Sequence, residues 1–193
     1  MKGPVLINFS GKRALVVGAG KIGARRAQTL AGYGCFVTCI APEPLSECLG
    51  ALKVKWLKGN YEHRFLEGMD LVVAATNCYA TNGQILLDCR KRRIWCNAVD
   101  HPDESDFIFP SVVQRGDLTL SVCTDGASPF LGTQIKKELE EKYDESYIER
   151  TALLKKLRQG TLVLEITEKE KRERLREMAQ WSLDKLREEV EKV

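Results

Sequence analysis

Short apolar runs alternate with amphipathic stretches through the first hundred residues. Arg13-Ala14-Leu15-Val16-Val17, Cys35-Phe36-Val37-Thr38-Cys39-Ile40, Val54-Lys55-Trp56-Leu57, Leu71-Val72-Val73-Ala74-Ala75 and Ile94-Trp95-Cys96-Asn97-Ala98-Val99 each have the length and composition of a strand. Between the first two, Ile22 to Leu30 carries a helical pattern that stops at Gly32 and Gly34, and Gln84 to Arg90 is a second helix between the last two. Pro42 and Pro44 end the second strand by removing backbone donors. Continuous apolar strands separated by helices predict an α/β domain, a parallel sheet covered by helices, over residues 1–112.

After Asp100 the pattern changes. Phe107 to Val113 and Leu118 to Cys123 flank Arg115-Gly116-Asp117, which reads as two antiparallel strands joined by a tight glycine turn. Pro129 then stands at the first position of a helix running from about Phe130 to Tyr143, where its missing N–H costs nothing. Residues 113–145 are thus a small α+β segment. Residues 146–193 are helical, with Leu175, Met178, Ala179, Leu186, Val190 and Val193 along one side. From Glu165 to Val193 acidic residues are as common as basic ones, so the charge marks a solvated face and not a nucleic-acid surface.

Composition narrows the class. With 193 residues, 44% hydrophobic and 30% charged, the chain is an ordinary globule of one domain or two small ones, and its net charge of +3 has no basic block behind it. Nucleic acid is not the expected partner. The N-terminal apolar run is too short for a secretory signal and no later stretch is long enough to span a membrane, so the expected location is the cytoplasm. The seven cysteines, Cys35, Cys39, Cys48, Cys78, Cys89, Cys96 and Cys123, contain no Cys-x-x-Cys. Those in apolar runs, Cys35, Cys39, Cys96 and Cys123, read as small buried hydrophobes. No metal site is expected.

Gly18-Ala19-Gly20-Lys21-Ile22-Gly23 follows the first strand directly and opens the first helix, the context in which GxGxxG signifies dinucleotide binding and the domain reads as Rossmann-like. Gly18 makes the turn, Gly20 admits a pyrophosphate, Gly23 allows close packing, and the helix start at Lys21 and Ile22 attracts the anion. The bland alternative is a set of structural glycines. Glu43, 20 residues beyond Gly23, is the candidate for a ribose hydroxyl, and no arginine follows the second strand, which favours NAD over its 2′-phosphorylated form. Thr76 and Asn77, ending the fourth strand, are candidates for cofactor hydroxyls or for capping the next helix, and Asn82 shares that ambiguity. Asp100, ending the fifth strand, is either a turn residue or a proton acceptor beside a hydride-transfer site, and His101 next to it either an acid–base group or part of the turn. Thr124 and Ser128 form a second polar cluster, with Ser128 also suited to cap the helix at Pro129.

In this order the glycine motif, Val37 to Pro42, Val72-Val73-Ala74-Ala75-Thr76-Asn77, Asn97-Ala98-Val99-Asp100, Asp106-Phe107-Ile108-Phe109-Pro110-Ser111 and Gly126-Ala127-Ser128-Pro129 resemble the precorrin-2 dehydrogenases, which include the N-terminal part of siroheme synthases. The resemblance is strong over residues 4–142 and loose beyond. It implies NAD-dependent oxidation of precorrin-2 to sirohydrochlorin on the way to siroheme, by a homodimer whose contacts come from the segment after the nucleotide domain. It also matches Asp100 to the family's critical aspartate. Arg115, Thr124 and Ser128 are then candidates for substrate contacts. Some relatives also insert iron or cobalt, so a chelatase is one alternative, and a non-enzymatic dinucleotide sensor or scaffold another. Two positions depart from the family: Thr124-Asp125-Gly126 replaces a frequent Ser-Gly-Gly, and Asn77 replaces a common Asp. Asp125 adds a carboxylate near a substrate rich in carboxylates, which requires it to point away or be countered by a base.

Overall fold

Five of the apolar runs pair into one parallel sheet in the order β3-β2-β1-β4-β5, formed by β1 (Arg13–Val17), β2 (Phe36–Ala41), β3 (Val54–Lys58), β4 (Leu71–Ala74) and β5 (Trp95–Ala98). This computed structural model describes residues 3–43 and 54–192; Pro44, Cys48 and Val193, named above, lie outside the described residues. Contacts divide the chain into two compact units, Met1–Ile108 and Phe109–Val193. The sheet belongs to the first.

Central strands β1 and β4 are apolar almost throughout because both their faces are covered, whereas the edge strand β3 places Lys55 and Lys58 in solvent. Helix α1 (Lys21–Gly32) buries Gly23, Ala27 and Leu30 at helical spacing, and α2 (Tyr79–Arg92) buries Asn82, Ile85, Leu86 and Cys89. Leu15, Ile40, Leu66, Val72, Ile85 and Leu86 form the centre of the core, each fully buried large side chain contributing roughly 1.5–3 kcal/mol. Register levels the strand ends: Val17 pairs with Ile40 on one side and Ala74 on the other, and Ala74 pairs with Ala98. The loops after β1, β2, β4 and β5 therefore leave from one edge. Strand order reverses between β1 and β4, the place where such sheets open a crevice.

Two local expectations are modified. Helix α2 begins at Tyr79, well before Gln84, although Asn82 and Gly83 are weak helix formers. Packing decides: a Cβ on Gly83 would lie 3.3 Å from Nε2 of His101, so glycine makes room for the imidazole. The stretch Phe107–Pro110 is not strand. Here the chain follows β5 through Asp106, whose N–H donates to Cys96 C=O at 2.9 Å while its carboxylate accepts from Cys96 N–H at 2.8 Å.

The second unit holds an antiparallel pair, β6 (Ser111–Arg115) and β7 (Leu118–Val122), turning at Gly116 with φ 58°. Four helices follow: α3 (Pro129–Lys142), α4 (Ser146–Leu162), α5 (Glu168–Met178) and α6 (Leu183–Val190). α3 packs on both strands, while Leu157, Met178 and Leu186 form a small core joining α4, α5 and α6. The apolar side from Leu175 to Val190 is therefore split between two helices that share this core. Among the described residues no helix is long and apolar enough to cross a membrane. Cys35, Cys39, Cys89 and Cys96 are buried, whereas Cys123, just past the end of β7, is exposed.

Candidate functional site

The three motif glycines do different work. Gly18 has φ 106°, a conformation that side chains disfavour, and a Cβ there would collide with the carbonyl of Ala75, its carbon lying 2.7 Å away. Gly23 likewise has no room, because its Cβ would strike the carbonyl of Gly18. These two glycines hold the turn against the end of β4 and seat α1 on the turn. Gly20 is unlike them. Its φ of −64° and ψ of 177° suit any residue, and nothing lies within 4 Å of a Cβ built on it. It stands at the N-cap of α1 and brings no side chain to the first-turn N–H groups, and that turn contains no acidic residue. An uncapped helix start beside an open space of this kind suits an anion. Lys21 and Ile22 are exposed in this first turn. Arg26, further along α1, is half-buried, and desolvation together with neighbouring Arg25 pushes its guanidinium down to about 10. Glu43 is exposed two residues beyond β2, at the same sheet edge.

The ends of β4 and β5 are tied into a polar network. Thr76 Oγ1 donates to Asn82 Oδ1 at 2.7 Å and accepts from Cys78 N–H at 3.2 Å, and Asn82 Nδ2 donates to Asp100 Oδ2 at 2.8 Å. Neither Thr76 nor Asn77 caps α2; the N-cap position belongs to Cys78. Asn77 is exposed in the same turn. A hydrogen bond with Thr81 holds the exposed Cys78 thiol below its ordinary value. Asp100 Oδ1 lies 3.5 Å from Nδ1 of His101, whose ring is buried and rests on Tyr79 with 3.8 Å between centroids. About a third of the Asp100 side chain remains open, at 30% exposure. The acidic neighbours have other partners: Glu104 pairs with Arg90 at 3.2 Å, and Asp106 holds β5. Ser105 accepts from Ala98 N–H at 2.9 Å and donates to the carbonyls of Ala98 and His101, locking the turn that presents Asp100.

Asn82, whose position in the sequence suits either a cap or a ligand contact, is fully buried and central to this network. The signal was present: position 82 falls on the stripe of Ile85, Leu86 and Cys89, where an amide has no packing reason to be. Among the described residues, four of the five buried polar ones, Asn82, Asn97, His101 and Ser105, gather around the β4 and β5 ends. Such clustering marks a site whose geometry is specified by hydrogen bonds.

In the second unit Thr124 and Ser128 come together: Thr124 Oγ1 donates to Ser128 C=O at 3.1 Å and accepts from Ser128 N–H at 3.3 Å. Ser128 Oγ accepts from Leu131 N–H at 3.2 Å, so it caps α3 ahead of Pro129. Asp125 and Gly126 both adopt positive φ, 48° and 85°, in the turn between them. Arg115 ends β6 with its side chain only 15% exposed and Nε 3.4 Å from Glu145.

A parallel sheet with a glycine turn after β1 and a polar cluster at the ends of β4 and β5 defines the class, a Rossmann-like α/β domain. A family model described as "Putative NAD(P)-binding" matches residues 5–111. The siroheme synthase of Photorhabdus laumondii and siroheme synthase 3 of Aeromonas hydrophila are each 33% identical over 140 residues, 71% of this chain and 30% of the relative. Among solved structures, SirC, a precorrin-2 dehydrogenase, superposes with a TM-score of 0.81 at 28% identity, covering 100% of both chains. The chain belongs to the precorrin-2 dehydrogenase and siroheme synthase N-terminal family. It spans about 30% of the length of the curated siroheme synthases it matches.

Proposed function

We propose that this chain oxidises precorrin-2 to sirohydrochlorin with NAD, in siroheme biosynthesis. The observation that carries the reading is the space at Gly20: the fold does not need a glycine there, but a pyrophosphate resting on the start of α1 does. NAD, when bound, supplies a hydride acceptor. Gly18, Gly20, Lys21, Ile22 and Gly23 hold its pyrophosphate, Glu43 takes the ribose hydroxyls, and Thr76 and Asn77 line the neighbouring turn. The substrate loses a hydride from a ring carbon and a proton from a neighbouring position, and Asp100 orients the macrocycle or receives that proton. The products are sirohydrochlorin, NADH and a proton. A carboxylate fixed at a strand end can do this without being a strong base, because positioning supplies much of the barrier reduction.

In this reading Arg115, Thr124 and Ser128 meet substrate carboxylates, Arg115 by exchanging Glu145 for a substrate group. The chain works in the cytoplasm as a homodimer joined through the segment 113–145. Support for that contact is Phe130 of α3, 88% exposed at the start of a helix that also exposes Leu131.

The test is anaerobic incubation of purified protein with precorrin-2 and either NAD or NADP, following nicotinamide reduction and sirohydrochlorin absorbance together; iron or cobalt added afterwards separates metal insertion. Both signals should rise with NAD. Reduction with other substrates but not with precorrin-2 would overturn the assignment. Gly20→Asp should keep its melting temperature, since Asp is a good N-cap, while NAD affinity falls on the order of tenfold or more through crowding and repulsion of the pyrophosphate. Unchanged affinity by calorimetry would remove the pocket from this turn.

A further inference from the structure

We propose that Asn82 is the positioning residue of this site: its buried carboxamide clamps the Asp100 carboxylate and the Thr76 turn together, so that the ends of β4 and β5 face the crevice as one piece. The inference rests on the role given to Asp100 above and names what enforces it.

An amide has two hydrogens to donate and two lone pairs to accept with, and Asn82 uses all four. Oδ1 accepts from Thr76 N–H at 3.1 Å and from Thr76 Oγ1 at 2.7 Å, while Nδ2 donates to Thr76 C=O at 3.1 Å and to Asp100 Oδ2 at 2.8 Å. The orientation is forced. A peptide N–H only donates and a carbonyl only accepts, so turning the amide over would set donor against donor and acceptor against acceptor. Three of the four bonds go to one residue, Thr76, which makes the carboxamide behave like a short strand paired with that peptide. The fourth crosses to β5.

Neither packing nor capping accounts for an asparagine here. A leucine would continue the buried stripe of Ile85, Leu86 and Cys89, and the first-turn N–H groups of α2 receive nothing from Asn82, which lies inside the helix. On its other oxygen Asp100 meets His101 Nδ1 at 3.5 Å, and that imidazole is wedged between Tyr79 and Gly83. Both carboxylate oxygens are therefore flanked by groups on α2 or packed against it. A carboxylate confined in this way presents one orientation to a bound substrate, the condition for efficient proton acceptance or ring alignment.

A double-mutant cycle tests the clamp. With wild-type turnover of precorrin-2 as control, Asn82→Ala should lower kcat on the order of 10²-fold, the loss expected when a reacting group is displaced by about 1 Å, and raise KM far less. In an Asp100→Ala background the same substitution should change kcat by less than about twofold, because its effect passes through Asp100. Equal losses in both backgrounds, or an unchanged kcat in the single variant, would overturn the proposal. A second measurement needs neither turnover nor a folded Asn82 variant: in cofactor-free protein, Asp100→Ala should speed hydrogen exchange of the Thr76 amide, which Asp100 never touches, by releasing the amide that holds it. Unaltered Thr76 exchange would break the clamp. If wild-type protein leaves precorrin-2 unchanged, the functional reading fails and the exchange result still decides the role of Asn82.

Discussion

The two units use polar side chains in opposite ways. In Met1–Ile108 the buried ones gather at the strand ends: Asn82 joins Thr76 to Asp100, His101 lies against Asp100, and Asn97 and Ser105 bond to the backbone of the chain leaving β5. In Phe109–Val193 they mostly finish helices: Ser128 caps α3, Thr167 and Glu170 form a reciprocal capping box on α5, and Ser182 caps α6. The buried polar residue among those described there, Thr161, bonds back to Leu157 C=O within its own helix at 2.8 Å. Buried networks cost desolvation and fix side-chain geometry, whereas caps stabilise helices by satisfying first-turn N–H groups. The first unit thus places its buried polar groups at the β4 and β5 ends, and the second places most of its polar side chains at helix starts.

The sharpest way to break this contrast is to remove charge from the first unit without changing shape. Asp100→Asn retains an oxygen for Asn82 Nδ2 to donate to, so its melting temperature should stay within about 2 °C of wild type. Turnover should fall about 10²–10⁴-fold, the range for a lost proton-transfer group. A loss below tenfold in steady-state assays would mean that the network is structural and the contrast false.

The converse substitution lies in the second unit. Leu157 is 2% exposed and packs with Met178 and Leu186, so Leu157→Ala should cost about 2–5 kcal/mol of stability, measured by urea unfolding. NAD affinity by calorimetry should be unchanged, since every candidate cofactor residue belongs to the first unit. Weakened affinity in a variant that remains folded would show that the units do not divide their labour in this way.

Much of this arrangement is legible in the residues themselves. Apolar runs such as Leu71–Ala74 and the glycines between β1 and α1 specify the sheet, its parallel order and the crevice, because they report local geometry and burial on both faces. What escapes is whatever depends on a partner distant in sequence. The early start of α2 depends on His101 filling the space over Gly83, 18 residues away. Asn82 looks like a cap until Asp100, also 18 residues on, supplies the fourth hydrogen bond. Phe107–Pro110 has strand composition, but side-chain bonds from Asp106 and Asn97 replace the ladder there. Arg115 is a candidate substrate contact in the sequence, where nothing shows that Glu145 stands 3.4 Å from its Nε.

A smaller effect sharpens the capping half of the comparison. Ser128→Ala removes the acceptor for Leu131 N–H and should cost about 1 kcal/mol, read as a lower urea midpoint at unchanged slope. If Ser128 also meets substrate, KM for precorrin-2 rises in the same variant; a KM that does not move leaves it as a cap alone.

The smallest effect concerns how α6 is fastened to α4. Arg187 donates from Nε and Nη2 to the two oxygens of Glu149, each at 2.7 Å, and this bidentate pair holds the Glu149 carboxyl below the usual carboxylate range. Because the folded value is the lower one, the stabilisation is complete above the unfolded value of about 4.3 and is lost as pH falls through the folded value. Glu149→Gln should therefore melt slightly below wild type at pH 7, with the gap constant down to about pH 5 and closing below about pH 4. The pair is half-exposed, so added salt should narrow the gap at neutral pH as well. A gap that closes between pH 7 and 5 would assign the stabilisation to a group other than this carboxylate, and one indifferent to both salt and acid would show that the helices are joined by the Leu157–Met178–Leu186 core alone.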